Sequence, residues 1–363
     1  MPGIKSYIGH RVRELYVNVD RWRQPTRHRR VMVFPSYADD GGSSDVRGVA
    51  VGRKLRQFGW RVTVVPAQLE WSQRQRLIRS ERPDVILLQQ SRHPLNRPRL
   101  YPGIPCVFDV DDADICDPRT RDEAIECGCE SQAIIVSNQF LGSLFSQYNK
   151  SVHVVWTSTY LCPLPKHPSL RSRGPVVVWA QLDATSWSHE SEFVREVIGK
   201  LSNRSAVRFL LIGEADRAAA DQYVRPLCNL GVECKVLGRL RYKRYVSALS
   251  QAAVGLNPST TQASYSRGRS FGKVLGYMIA RVPIVTANNP DYSQFFEHRV
   301  NALIAGETDV ATWVEYCREL LEDEALRDRL SDRAVENLRD RLSTTRAAQA
   351  VDRILREVLI QQR

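Results

Sequence analysis

Between Phe108 and Asp117 the chain reads FDVDDADICD, its most unusual polar stretch. Asp109, Asp111 and Asp112 end an apolar run, IPCVFDV, that predicts a buried strand over 104–110. Carboxylates at the carboxyl end of a parallel strand lie on the edge where open α/β sheets bind ligands. There a carboxylate accepts a proton from a reacting hydroxyl or hydrogen-bonds the hydroxyls of a ligand. The same residues equally suit helix capping, by Asp112 or Asp114. Asp109 and Asp111 are the candidate catalytic carboxylates.

A second constellation is cationic. In SYSRGRSFGKVLGYMIARVPIVTAN, the residues Ser266, Arg267, Gly268, Arg269, Ser270, Gly272 and Lys273 crowd a predicted helix start at 272. Free N–H groups and the helix dipole attract anions at such a point. Arginine grips phosphate through two parallel hydrogen bonds, and lysine neutralises it as a point charge. A solvated basic loop is the alternative. Inside that helix Gly276 costs about 1 kcal/mol relative to alanine, which the close approach of a ligand or a neighbouring strand would explain. His189, in TSWSHE, precedes another predicted helix and can bond a phosphate or hydroxyl. Gly41 and Gly42 follow the first strand, where backbone must come close to something, and Arg47 in the next helix reaches a phosphate or carboxylate unless it is a plain surface arginine. Glu214 reads as a turn or cap residue.

The elements that position these residues alternate. VMVFPSY, WRVTVVP, PDVILLQ (83–89), IPCVFDV (104–110), SQAIIVS (131–137) and SVHVVWT (151–157) read as strands. Helical periodicity fills the intervals, at 70–80, 119–130 and 138–147 among others. CPLPKHPSLRSRGP (162–175), rich in proline and basic residues, reads as a linker. A second α/β series follows, with strands at 176–180, 208–213, 233–238, 254–259 and 283–288. It ends in helices over 308–323, 324–340 and 343–361, with Thr308 and Ser331 as expected caps. The division is therefore a basic N-terminal segment (1–29), two α/β domains (30–161 and 176–342) around the linker, and a C-terminal helix (343–363) that can cross back to the first domain. Two doubly wound domains are expected to face each other across a cleft between the carboxyl edges of their sheets.

With 363 residues the chain is long for one core, and 43% hydrophobic with 25% charged residues is ordinary for a globular protein. No apolar run reaches the roughly 18–20 residues of a membrane span, and the N-terminus lacks the apolar core of a secretory signal. A cytoplasmic protein is expected. A net charge of +12 favours an acidic partner. Arginine is scattered, with no zinc-finger spacing and no RNA-binding aromatic signature, so nucleic acid is not the expected partner. The basic segment 1–29 either rests peripherally on an anionic membrane surface, as suits a lipid-linked ligand, or packs as a leading helix. The eight cysteines, Cys162 among them, are dispersed and read as reduced, buried thiols. Cys127 and Cys129 have no partner pair at metal-ligand spacing.

The second half resembles the donor-binding domain of the retaining glycosyltransferases with two Rossmann-like domains, the GT-B fold of family four. The resemblance rests on LLIGE (210–214), VLGRL (236–240), YVSALSQAAVGLNPS (245–259), FGKVLGYMIARVPIVTAN (271–288) and NALIAGETDVATWVEYCRELLEDEALRDRLSDRA (301–334), in that order. The first half fits through its Gly-Gly loop, IIVSNQFLGSLF and VHVVWTS. What the resemblance implies is metal-independent, cofactor-free transfer of a sugar from a nucleoside-diphosphate sugar to a hydroxyl of a saccharide or lipid-linked acceptor, as in polysaccharide biosynthesis. It implies donor contacts at Gly41 and Gly42, reading of the base through backbone atoms at Arg239, and a cleft histidine at His93, which otherwise is an ordinary loop residue. His189, Arg267, Arg269, Ser270, Gly272 and Lys273 are donor-binding candidates on their own chemistry at predicted helix starts. The chain departs from the family at its two motif glutamates, which fall on Gly268 and Gly276, and at an Arg/Lys pair replaced by WAQLDATSWSHE. Those departures favour an alternative, a non-catalytic binding or scaffolding subunit with the same fold. The Asp109-x-Asp111 pair imitates a metal-binding motif, but of glycosyltransferases with a different fold.

Overall fold

The structure is a computed structural model that describes residues 17, 19–20, 29–37, 42–159, 174–261 and 263–362. Most of the basic segment, Gly41, Cys162 and the linker through 173 lie outside the described residues. The chain divides into two units. One comprises Met1–Tyr160, Gly268–Ser270 and Leu342–Arg363, the other Leu161–Arg267 and Phe271–Arg341.

In the N-terminal unit, strands β1 (Arg29–Phe34), β2 (Trp60–Val64), β3 (Val85–Gln89), β4 (Cys106–Val110), β5 (Ala133–Val136) and β6 (Val152–Val154) form one parallel sheet in the order β2-β1-β3-β4-β5-β6. Alternation along β1 shows why it is central. Val31 and Val33 pack into a core with Val351 and Leu355, while Met32 and Phe34 pack on the opposite face with Leu77 and Tyr101. A π-helical turn, Ser44–Val49, leads into α1 (Ala50–Lys54), and α2 (Trp71–Glu81), α3 (Arg121–Glu130) and α4 (Gln139–Phe145) supply the crossovers.

The C-terminal unit repeats the plan. Its strands β7 (Val176–Ala180), β8 (Arg208–Ile212), β9 (Glu233–Leu237), β10 (Val254–Asn257), β11 (Ile284–Ala287) and β12 (Leu303–Ala305) are parallel in the order β12-β11-β10-β7-β8-β9. Helices α5 (Ser188–Ser202), α6 (Arg217–Asn229), α7 (Tyr242–Leu249), the short α8 (Ser264–Arg267) and α9 (Gly272–Ile279) alternate with them. Then follow α10 (Val310–Glu322), α11 (Glu324–Arg341) and α12 (Thr344–Gln361). Trp179, Phe209, Leu256 and Trp313 lie in this unit's core.

Several local expectations change. Asp309, not Thr308, caps α10 by accepting from Thr312 N–H, and Ser331 is buried within α11, donating to the Arg281 carbonyl. Strand β12, three residues long, is not among the expected strands, because its apolar run is too short to stand out. Among the described cysteines Cys106, Cys127 and Cys317 are buried, whereas Cys129 and Cys228 are exposed. No described helix is long and apolar enough to cross a membrane.

Candidate active site

The strand order reverses between β1 and β3 in the N-terminal unit, and between β7 and β10 in the C-terminal unit. Such switch points open a crevice at the carboxyl ends of the strands. Asp109 and Arg47 lie by the first, and Lys273 by the second.

At the N-terminal unit's switch point the polar side chains are buried and interlocked. Arg47 is buried and forms an ion pair with Asp109, and it also donates to the Val155 carbonyl at 2.8 Å. It is thus neither a surface arginine nor a free phosphate ligand, and Asp109 is committed to it. Gln89 accepts from Ser36 N–H at 3.2 Å and from Ser44 Oγ at 3.0 Å, tying β1's loop to the helix start. Asp111 is fully buried, and Gln90 Nε2 donates to its Oδ1 at 2.6 Å. Its Oδ2 is buried with no hydrogen-bond partner among the described residues. Burial, reinforced by Asp112 and Asp109 and opposed by Arg47 and Arg92, pushes the Asp111 carboxyl up to about 7. A carboxyl held above the usual carboxylate range by burial suits the role of a general acid or base.

Arg92, in the loop after β3, bridges Asp112 and Asp114 and donates to Tyr37 Oη at 3.1 Å. Asp114 is pushed up to about 6 by burial, against the pull of Arg92. Neither aspartate makes a side-chain cap to the following helical turns. Both are bound to an arginine instead. His93 is also accounted for. One ring nitrogen accepts from Leu95 N–H at 3.1 Å, and the other lies 2.9 Å from the Ala67 carbonyl. Burial and neighbouring Arg74 lower its pKa to about 4, so the ring is neutral and both nitrogens are used in holding the loop. That arrangement does not fit the expected catalytic role. Gly42 is exposed, and a Cβ there would meet nothing within 4 Å. Among the described residues no cluster of three acidic, histidine or cysteine side chains could hold a metal ion.

At the C-terminal unit's switch point Lys273, in the first turn of α9, donates through Nζ to Gln181 Oε1 just beyond β7. Gly272 opens that helix. Tyr277, one turn on, accepts from Ala180 N–H and donates to the Leu256 carbonyl, both at 3.0 Å, and so clamps the ends of β7 and β10. Gly213 has φ +116°, and a Cβ there would lie 2.6 Å from the Gln181 carbonyl oxygen. Only glycine permits this backbone approach. Arg239 pairs with Asp183 at 2.8 Å on the surface, and His189 is exposed in the first turn of α5. Arg267 ends α8, whereas Arg269 and Ser270, in the segment between α8 and α9, group with the N-terminal unit. Glu214 is buried, accepting from the N–H groups of Thr185 and Asp216 at 3.0 and 3.1 Å. It is a turn residue, as expected.

Gly276 has a definite cause. A Cβ at this position would meet the Tyr245 ring at 2.4 Å. Tyr245, from α7, donates to the Lys273 carbonyl at 3.2 Å. A neighbouring helix's tyrosine, rather than a strand, demands the glycine. The residues missed from sequence were Gln90, Gln181 and Tyr245. Amides and tyrosines carry no pattern signal, and the last two lie far in sequence from what they touch.

Residues 176–323 match the family model of the glycosyl transferases group 1. No curated protein matches the chain. Among solved structures the chain is similar to a sucrose-phosphate synthase from Thermosynechococcus elongatus, with a TM-score of 0.70 at 12% identity over 92% of this chain and 100% of that one. It is similar also to Anabaena HepE in complex with UDP and glucose, with a TM-score of 0.68 at 14% identity over 91% and 100%. An alpha-glucosyltransferase in complex with UDP and a DNA 13-mer gives a TM-score of 0.65 at 12% identity over 91% and 100%. The two parallel sheets flanked by helices are two Rossmann-like domains, the GT-B architecture.

Proposed function

We propose that the chain is a retaining glycosyltransferase that moves a sugar from a nucleoside-diphosphate sugar to a hydroxyl of a saccharide or lipid-linked acceptor. The observation that carries this is Lys273. It is a cation in the first turn of a helix, held by Gln181 at the switch point of the unit that matches the glycosyl transferases group 1. The donor's diphosphate would lie there, with Lys273, Arg239 and His189 offsetting the leaving group's charge without a metal. UDP in two of the similar structures makes UDP-sugars the first donors to try.

The acceptor would be held by the N-terminal unit. In the reaction the bond from the anomeric carbon to the diphosphate breaks, and a bond to the acceptor oxygen forms. The acceptor's proton passes to Asp111, while Asp109 keeps Arg47 in place. We place the reaction in the cytoplasm, with segment 1–29 resting on an anionic membrane face when the acceptor is lipid-linked.

One observation favours a second reading, a binding or scaffolding subunit. Position 276, where the family carries a glutamate, is glycine with its side-chain space taken by Tyr245. A panel of UDP-, GDP- and TDP-sugars decides between them, read by thermal shift and by donor hydrolysis on the wild type and on Lys273→Ala. Stabilisation and turnover, both lost in Lys273→Ala, are expected. Stabilisation without turnover would support the second reading, and neither response with any donor would sink the enzyme reading.

A further inference from the structure

Gln90 is the most unusual residue at the N-terminal unit's switch point. It is fully buried and sits at φ 52°, in the left-handed region. For a residue with a Cβ that conformation costs on the order of 1–2 kcal/mol, and such strain persists where the surroundings enforce it. The consequence is visible in the side chains. Successive residues in a strand point to opposite faces, yet the amide nitrogens of Gln89 and Gln90 both reach Ser43 Oγ, at 3.0 and 3.4 Å. The left-handed turn at Gln90 brings its amide round to the same edge as that of Gln89. The Gln90 N–H holds this turn by donating to the Asp109 carbonyl at 2.8 Å.

The turned amide donates to Asp111 Oδ1 at 2.6 Å, and Ser43 Oγ is 3.4 Å from the same oxygen. Both contacts fall on Oδ1. Asp111 Oδ2, Gln90 Oε1 and Ser91 Oγ are buried without a hydrogen-bond partner among the described residues. Unsatisfied buried polar atoms in this number are rare and call for a partner. Three oxygens able to accept complement a ligand that brings donors, as the hydroxyls of a saccharide do.

We infer that Gln90 is a positioning residue, which anchors Asp111 through Oδ1 and reserves Oδ2 for the proton of the acceptor hydroxyl. This rests on the reading of Asp111 as the group that takes that proton. As the acceptor oxygen bonds to the anomeric carbon its O–H bond breaks, the proton passes to Oδ2, and the diphosphate leaves as the anion. The amide donor also favours the ionised form of Asp111, against burial. The charged groups facing the carboxyl are Arg47 from the helix after β1, Arg92 from the loop after β3, and Asp109 and Asp112 from its own segment.

The test is a titration of the full-length protein carrying carboxyl-13C aspartate, followed by NMR, with Asp111→Asn identifying the signal. Gln90→Asn tolerates the left-handed backbone, but its amide is one methylene too short to reach Oδ1. It should raise the Asp111 midpoint by about half a unit to one unit, because a hydrogen bond to the charged form is lost. Gln90→Gly, free of strain at this φ, should move the midpoint the same way. A midpoint unchanged in either folded variant, with only Tm altered, would reduce Gln90 to packing and overturn the inference. The midpoint is read on the free protein. A sugar-nucleotide panel with no turnover would therefore defeat the glycosyl-transfer reading while leaving the coupling of Gln90 to Asp111 measured.

Discussion

Arg47 shows what a single buried charge commits a protein to. Its guanidinium and Asp109 are both nearly inaccessible to solvent, with 4% and 6% side-chain exposure. Removing one partner of such a pair strands the other, at a cost of about 3–5 kcal/mol, whereas replacing both with apolar residues is far milder. Arg47→Ala should therefore lower the N-terminal unit's stability by that amount in denaturant unfolding, and Arg47→Met with Asp109→Leu should recover most of it. Asp111 makes a prediction of the opposite kind. Its folded pKa of about 7 lies above the unfolded value of about 3.9. A carboxyl raised on folding contributes stability below its unfolded pKa, and that contribution is lost as pH rises through the folded pKa. The Tm of the wild type relative to Asp111→Asn should thus fall between about pH 4 and pH 7 and level off above. The carboxylates themselves were legible, because they end a strand. Their partners were not: Arg47 lies 62 residues from Asp109, and nothing in the spacing announces the pair.

Elements explain the glycines better than single positions do. Within an exposed helix, Gly→Ala gains up to about 1 kcal/mol from backbone entropy. In α9 the sign should reverse. A methyl at 276 would drive into the Tyr245 ring, which is anchored on Lys273, and overpacking of this kind costs about 1–3 kcal/mol. Gly276→Ala should destabilise the C-terminal unit in thermal unfolding, and adding Tyr245→Ala should give a double variant less impaired than the two single losses predict. Strand positions other than β12 were readable, since β-branched runs between turns leave few alternatives; β7 spans 176–180, as its VVVWA run indicates. Helix packing was not readable. The tyrosine facing Gly276 comes from α7, and a glycine in sequence does not say which neighbour needs the room.

At the scale of the whole chain, the N-terminal unit depends on residues from the other end of the sequence. Helix α12 places Val351, Ile354, Leu355 and Val358 in the core beneath β1, β2 and β3. Its Asp352 accepts from Trp60 Nε1 at 2.6 Å, and Arg356 donates to the Phe58 carbonyl at 2.7 Å. Four aliphatic side chains at about 1.5–3 kcal/mol each amount to about 6–12 kcal/mol, comparable with the 5–15 kcal/mol net stability of an entire domain. This helix belongs to the N-terminal unit, and the core cluster of the C-terminal unit takes its last residues from α11. A chain ending at Arg341 should therefore lose cooperative unfolding of the N-terminal unit while keeping that of the C-terminal unit. Scanning calorimetry with limited proteolysis checks this, through one surviving transition and a protected fragment that contains residues 176–341. If both transitions survived, the N-terminal unit would hold without α12, and the helix would be an accessory rather than part of its core.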